Sequence, residues 1–516
     1  MNKKLELLDC TLRDGGYYTQ WDYSDEIVAQ YLGAMNHLPV DIVEIGYRNV
    51  SNIEYKGRFY YTPDYVLKEL RDVLDSSKSI ALMLNAKDFK DGEGVEVIET
   101  CRPYVKLIRI AVSFEDVSKI IPLLKSVRDY GFLIALNIMY MHRLNHAKSM
   151  SRLKAVTKYI DYLYFVDSYG SCFPEDVSNI ISLAKENAVG VKIGFHGHDN
   201  LGLAFANSLA AYSAGATICD STVQGMGRGA GNLKTEAISL YLSRRRNVDI
   251  SLVHLSEVVS AFDKLKNMHN WGTCLPYMFS GMLGLPQNEV MTLLGMKRYG
   301  YDEILEYLST DKMKVSPERL SNIVSSEVKG KGVVIIGGGE SAVLHRNAVC
   351  NLAIKNDYVI VHSSIRHIDS YMTCKKMQIV CLPGNEKLKF LSGNLKINNS
   401  VSDIVVGNKT SCDVNTHDRH VNIHYVDSIG CNQDKNIIPN DSPLGLALGF
   451  SEYIEANKIY LIGFDGYPRL ERSNSLLAEE VQNALYSFSN IYPEIPLKSL
   501  TSTMYDIPII SMYSLL

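Results

Sequence analysis

Residues 194–202 read GFHGHDNLG, with two histidines two positions apart. In an extended segment residues at that spacing point to the same side, so His196 and His198 can present two imidazoles to one ion. A lone histidine on an apolar strand is more often a satisfied core residue. A pair at this spacing, at a strand end and followed by Asp199, Asn200 and Gly202, points instead to metal. Two imidazoles still need a carboxylate to make a mixed nitrogen and oxygen site with room for water and substrate, a donor set that suits a Lewis-acidic divalent ion. The stretch LLDCTLRDGG at residues 7–16 offers one in Asp14, with Arg13 beside it.

Those residues need elements to bring them together. Short apolar or β-branched runs recur as LELLDC, DIVEIGY, IALML, VKLIRIAV, FLIALNIMY, YLYFVDS, VKIGFH and ATICDST. Between them lie stretches such as SDEIVAQYLGAMNHL, whose apolar residues recur at helical spacing behind a serine that can cap the first turn. Eight strand-then-helix units over residues 1–248 predict a TIM (β/α)8 barrel. Such barrels carry their chemistry at the C-terminal ends of the strands, which makes candidates of Arg13, Asp14, Glu44, Arg109, Asn137, Asp167, Ser168, His196, His198 and Asp220. Singly, a strand-end Asp or Asn is often only the N-cap of the next helix. In a closed barrel the first strand lies beside the eighth and near the seventh, so Asp14 is well placed to complete the histidine pair.

Residues 249–325 read as a helical extension, and a polar, lysine- and serine-rich segment marks a boundary near residue 325. A separate open-sheet, Rossmann-like α/β domain is expected over 330–516, opened by KGVVIIGGGESAVLHRNAVCNLAIKNDYVIVHSS. Gly337–Gly339 there could cradle a phosphate or simply make a tight, close-packed turn. The next strand ends VIVHSS, with no acidic residue for a ribose, which argues against NAD.

Composition narrows the class. The 516 residues are 46% hydrophobic and 21% charged, with a net charge of −4 and no basic block, so neither nucleic acid nor an anionic membrane is expected as partner. Ten scattered cysteines without a C-x-x-C pair, no signal-peptide core and no membrane-length apolar run lead to the expectation of a reduced, cytoplasmic protein acting on small molecules.

DCTLRDGG, together with GFHGHDNLGLAFANSLAAYSAGATICDSTVQGMGRGAGN, resembles the metal-dependent aldolase and lyase superfamily named for its Asp-Arg-Glu barrel signature, in which hydroxymethylglutaryl-CoA lyase and isopropylmalate synthase are found. The branch it resembles most is 4-hydroxy-2-oxovalerate aldolase, closely over residues 5–18 and 191–236 and more loosely through the rest of the barrel. The resemblance implies that Asp14, His196 and His198 bind Mn2+ or Mg2+, that Arg13 meets a developing pyruvate enolate, and that Glu44 orients Arg13. Asn232 matches an asparagine that joins the metal in the lyase branch and is structural in the oxovalerate branch, and Ser168 matches a serine that can touch the pyruvate carboxylate. The chain departs from its relatives at Tyr17, where they carry a histidine base, and a tyrosine with an ordinary pKa near 10 is a poor base at neutral pH.

The activity implied is cleavage or formation of a 4-hydroxy-2-oxo acid from pyruvate and an aldehyde. An acyl-CoA lyase or synthase is the alternative within the superfamily. An inactive barrel serving a nucleotide- or sugar-binding C-terminal domain is the alternative outside it. The helices at 250–310 resemble those with which the aldolases dock an acetaldehyde dehydrogenase, but here they lead into another domain, which makes such a partner less secure. Among partners a homodimer stays open. GGGES and YLIGFDGY are distantly similar to sialyltransferase-like, sugar-phosphate-handling domains, which would put Asp465 near a ligand.

Overall fold

The computed structural model describes residues 5–50, 55–89, 94–144, 150, 152–295, 300–309, 328–383, 401–407, 422–426, 442–467 and 472–516. The chain forms two compact units, Met1–Met291 and Thr292–Leu516. The polar segment expected to mark a boundary near residue 325 lies outside the described residues.

The first unit is built on a closed barrel of eight parallel strands: β1 (Glu6–Asp9), β2 (Ile42–Tyr47), β3 (Ser79–Asn85), β4 (Leu107–Ser113), β5 (Leu133–Met139), β6 (Tyr162–Asp167), β7 (Lys192–Gly197) and β8 (Ile218–Ser221). The strands pair in chain order, and β1 closes the ring against β8, with Leu8 opposite Asp220. The TIM barrel read from the rhythm of the sequence is the fold observed.

Period-2 alternation divides each strand between two cores. Leu7, Val43, Ile80, Ile108, Ile134, Leu163, Ile193 and Cys219 point outward into the layer shared with the helices. Leu8, Ile42, Ala81, Leu107, Ala135, Tyr162 and Ile218 fill the inside of the barrel. Two residues further along, the inward positions turn polar at Glu44, Arg109, Asn137, His196 and Asp220, and all five are buried. An apolar floor therefore carries a charged layer just below the mouth. Gly194 has a specific reason: a Cβ there would lie 2.6 Å from the ring of Tyr164, its register partner on β6.

The outer helices are amphipathic in the ordinary way. Asp25–His37 starts at Ser24, whose side chain accepts from the Ile27 amide, and buries Val28, Tyr31, Leu32 and Met35 on one face. Helices Leu252–His269 and Leu275–Met282 belong to the same compact unit as the barrel. Among the described residues no helix is long and apolar enough to cross a membrane.

The second unit holds a seven-stranded parallel sheet: β9 (Val333–Ile336), β10 (Val359–His362), β11 (Gln378–Leu382), β12 (Val401–Gly407), β13 (Asn422–Val426), β14 (Ile459–Ile462) and β15 (Leu497–Ser499), in the order β13-β12-β11-β10-β9-β14-β15. Each face has its own core, one with Val333, Ile335, Val361 and Leu461, the other with Val334, Ile336, Ile360 and Ile462. This is the doubly wound pattern expected of a Rossmann-like unit, and the strand order reverses between β9 and β14.

Candidate active site

After β1 the chain enters one helical turn, Thr11–Asp14, and the preceding aspartate fixes it. Asp9 Oδ1 accepts from the Thr11 amide at 2.9 Å, the Thr11 hydroxyl at 2.6 Å and Tyr31 Oη at 2.6 Å, while Thr235 Oγ1 donates to Oδ2 at 2.5 Å. Four donors on one carboxylate hold the turn that presents Arg13 and Asp14. Trp21 Nε1 adds a bond to the Arg13 carbonyl at 2.7 Å.

From Arg13 a chain of ion pairs crosses the barrel. Arg13 donates from Nη1 to Asp14 Oδ1 at 2.6 Å and from Nε to Glu44 Oε2 at 2.9 Å. The same Glu44 oxygen accepts from Arg109 Nη1 at 2.9 Å, and Arg109 Nη2 donates to Asp220 Oδ2 at 2.5 Å. Asp220 Oδ2 in turn meets His196 Nδ1 at 2.8 Å. Arg109 is wholly buried and lies with Cζ 4.4 Å from the centre of the Tyr164 ring. Two guanidinium groups against the carboxylates of Asp14, Glu44 and Asp220 leave a net negative charge when the histidines are neutral, which favours a cation.

The two histidines are oriented by their Nδ1 atoms. His196 Nδ1 faces the Asp220 carboxylate and His198 Nδ1–H donates to the Asp167 carbonyl at 2.9 Å, so in each ring Nε2 is the nitrogen left to face an ion. His196 Nε2 lies 3.9 Å from Asp14 Oδ2. Asp14, His196 and His198 each offer a ligand atom, all within 4.8 Å of one another. Burial alone would raise the Asp14 carboxyl, but the Arg13 guanidinium, with the Asn232 hydrogen bond, outweighs it and holds it down to about 2. Burial pushes His198 down to about 3, so its imidazole is neutral. A deprotonated carboxylate and a neutral imidazole are the forms that bind metal.

Asn232, a bridge partner of His198, donates from Nδ2 to Asp14 Oδ2, and its own Oδ1 is buried without a partner. The loop before it packs tightly: a Cβ on Gly227 would fall 2.8 Å from Asp14 Oδ2. The donor set and the orphaned Asn232 oxygen fit a divalent ion.

The structure thus brings Arg13, Asp14, Glu44, His196 and His198 together, with Asn232 at their edge. Tyr17 Oη lies 3.4 Å from Tyr47 Oη, and its ring meets Trp21 edge-on. Ser168 Oγ accepts from the Tyr140 amide at 2.9 Å, which braces the turn after β6. The sequence marks Arg109 and Asp220 only as strand-end positions, yet they connect the arginine side of the site to the histidine side. In the sequence Asp9 is one residue of a strand and Arg228 one residue of GMGRGAGN, with no local pattern that marks either.

The glycine turn of the second unit is closed. Gly337 N donates to the Ile462 carbonyl and Gly339 N to the Gly463 carbonyl, each at 2.8 Å. Asp465 takes the Ser341 amide at 3.0 Å and the Ser341 hydroxyl, which itself accepts from Gly463 N at 3.0 Å. Gly337 is glycine because a Cβ would sit 2.5 Å from the Gly463 carbonyl oxygen. Of the two uses open to Gly337–Gly339, these bonds support the close-packed turn, and Asp465 caps the turn with its carboxylate.

The HMGL-like family profile matches residues 4–263, half of the chain. The chain belongs to the HMGL-like family. Within that family it is 32% identical over 254 residues to a 4-hydroxy-2-oxovalerate aldolase of Pelotomaculum thermopropionicum, covering 47% of this chain and 70% of the relative. It is 28% identical over 259 residues to an oxaloacetate decarboxylase of Mycobacterium tuberculosis, covering 49% of this chain and 74% of that one. Among solved structures, the N-terminal domain of an aldolase candidate from Bacteroides vulgatus is 40% identical, with a TM-score of 0.55, and the match covers 59% of this chain and all of that domain.

Proposed function

We propose that this HMGL-like barrel is a divalent-metal-dependent lyase that cleaves, or forms in reverse, a 4-hydroxy-2-oxo acid, with pyruvate as one product and an aldehyde as the other. The observation that carries the reading is the convergence of Asp14, His196 and His198 beside an arginine whose Nη2 takes no partner among the described residues. Mn2+ or Mg2+ held by these three residues would supply Lewis-acid polarisation of the 2-oxo acid. Arg13 donates from its open edge to the oxygen on which enolate charge develops, an interaction stronger in the transition state than in the ground state. Glu44, gripped from behind by Arg109, keeps Arg13 from turning away. As the C3–C4 bond breaks, its electron pair enters the enolate, the 4-hydroxyl loses its proton as the aldehyde forms, and protonation at C3 gives pyruvate. Tyr17 is assigned to the 4-hydroxyl, and Ser168 to the carboxylate end of the 2-oxo acid.

A second reading, decarboxylation of a 2-oxo acid with a carboxylate on C3, is favoured by the tyrosine at position 17. Loss of CO2 leaves the same enolate and asks no base to take a hydroxyl proton. Purified protein loaded with Mn2+ and given 4-hydroxy-2-oxopentanoate, oxaloacetate or an acyl-CoA thioester separates the cases by pyruvate release. Turnover of the thioester alone, or of none of them, overturns the proposal.

A further inference from the structure

Arg228 has no task in the chemistry so far, and its surroundings mark it out. Gly227 brings the backbone against Asp14, and the next residue reaches outward with its guanidinium over Tyr17, Cζ lying 5.5 Å from the ring centre. Its Nε donates to Asn288 Oδ1 at 2.8 Å. Arg13, Arg48, Arg58, Arg109 and Arg128 each meet an Asp or Glu. Among the described residues Arg228 meets none, and its two terminal nitrogens take no partner. The charge is felt at the turn after β6: Tyr169, raised chiefly by burial, is pulled back by Arg143 and Arg228. An unpaired, half-buried guanidinium at the Tyr17 side of an enolate site offers a planar fork to an oxyanion.

We propose that Arg228 binds an anionic group, carboxylate or phosphate, on the part of the substrate beyond the pyruvate moiety, so that the substrate is a 2-oxo acid with a second negative charge. The proposal rests on the lyase reading given above. A substrate ending in methyl leaves the guanidinium desolvated and unpaired, and a site built around such a group discriminates strongly against the analogue that lacks its partner.

The experiment compares kcat/KM for 4-hydroxy-2-oxoglutarate, a 4-hydroxy-2-oxo acid with a terminal phosphate, oxaloacetate and 4-hydroxy-2-oxopentanoate, in wild type, Arg228→Gln and Arg228→Lys, all with Mn2+. Expected is a preference of about 100-fold or more for at least one doubly charged substrate over the methyl-ended one. That preference should fall about 10- to 100-fold in Arg228→Gln, mostly through KM, and return in part in Arg228→Lys. The favoured substrate tells carboxylate from phosphate. Oxalate, which mimics only the pyruvate half, controls for the fold: if Arg228→Gln loses oxalate inhibition as well, the residue is structural and the proposal fails. Exchange of pyruvate methyl hydrogens in D2O separates the two levels. Wild type that exchanges but shows no charge preference sinks the role of Arg228 alone, and wild type that does not exchange sinks the pyruvate reading and this role with it.

Discussion

His196 lies in β7 of the barrel and His362 at the end of β10 in the second sheet, both buried and both on parallel strands. His362 Nε2–H donates to Gln378 Oε1 at 2.9 Å, its ring meets Tyr371 edge-on, and its Nδ1 is sealed without a partner. His196 gives its Nδ1 to a carboxylate that an arginine already holds, and turns Nε2 toward Asp14. Burial and strand position are therefore shared by a core histidine and a candidate ligand. What separates them is the company of the second nitrogen. The same contrast holds at the strand ends. Around Asp14 and His196, donors converge and leave atoms open. In the second unit Ser341, Gly463 and Asp465 satisfy one another.

Substitution of the two histidines tests this contrast most severely. His196→Ala should lose the bound Mn2+, on the order of one per chain in wild type, and on the order of 10³-fold in kcat/KM, while His362→Gln keeps both. Metal analysis of the purified proteins with pyruvate-release assays decides it, and equal metal content in both variants would erase the distinction.

The pH response comes next. Burial holds His362 at about 4, against an ordinary value of 6.5. Between those values the unfolded chain carries a proton that the folded one does not, so the second unit loses stability as pH falls from 6.5 to 4, by roughly 3 kcal/mol, with no further loss from this group below that. Hydrogen exchange at β9 and β10 amides should follow that slope, and His362→Gln should flatten it.

Asp220→Asn should weaken Mn2+ binding about 10- to 100-fold, because an amide can hydrogen-bond either form of the ring and no longer enforces the Nδ1–H tautomer. Calorimetric titration reads this directly, and unchanged affinity would mean that Asp220 serves only Arg109. The smallest effect belongs to the closed turn: Ser341→Ala should cost the second unit about 1–2 kcal/mol while pyruvate release by the barrel is unaltered.

Much of the barrel is legible in the sequence, because each strand is an apolar run with its own helical partner and alternation assigns the faces. His196 and His198 are legible for the same reason, since their spacing alone puts them on one side. The Glu44, Arg109 and Asp220 connection is not, because it joins residues 65 and 111 positions apart through contacts that only ring closure creates. Gly337–Gly339 stays ambiguous in the sequence because the carboxylate that settles its use is Asp465, 124 residues beyond Ser341. Arg228 is hidden differently: nothing in GMGRGAGN tells an arginine that pairs with a carboxylate from one that stacks on Tyr17 and meets none.

Arg109 sits wholly inside the barrel, with Glu44 on one side and Asp220 on the other. Replacing any one member of that set strands a charge where water cannot reach it, at a cost of about 3–5 kcal/mol. Single substitutions there meet a steep barrier, and the set can be exchanged only as a block. A descendant of this protein that takes up a new substrate has a far easier route at the rim, through positions such as 17 and 228, above a floor it inherits unchanged.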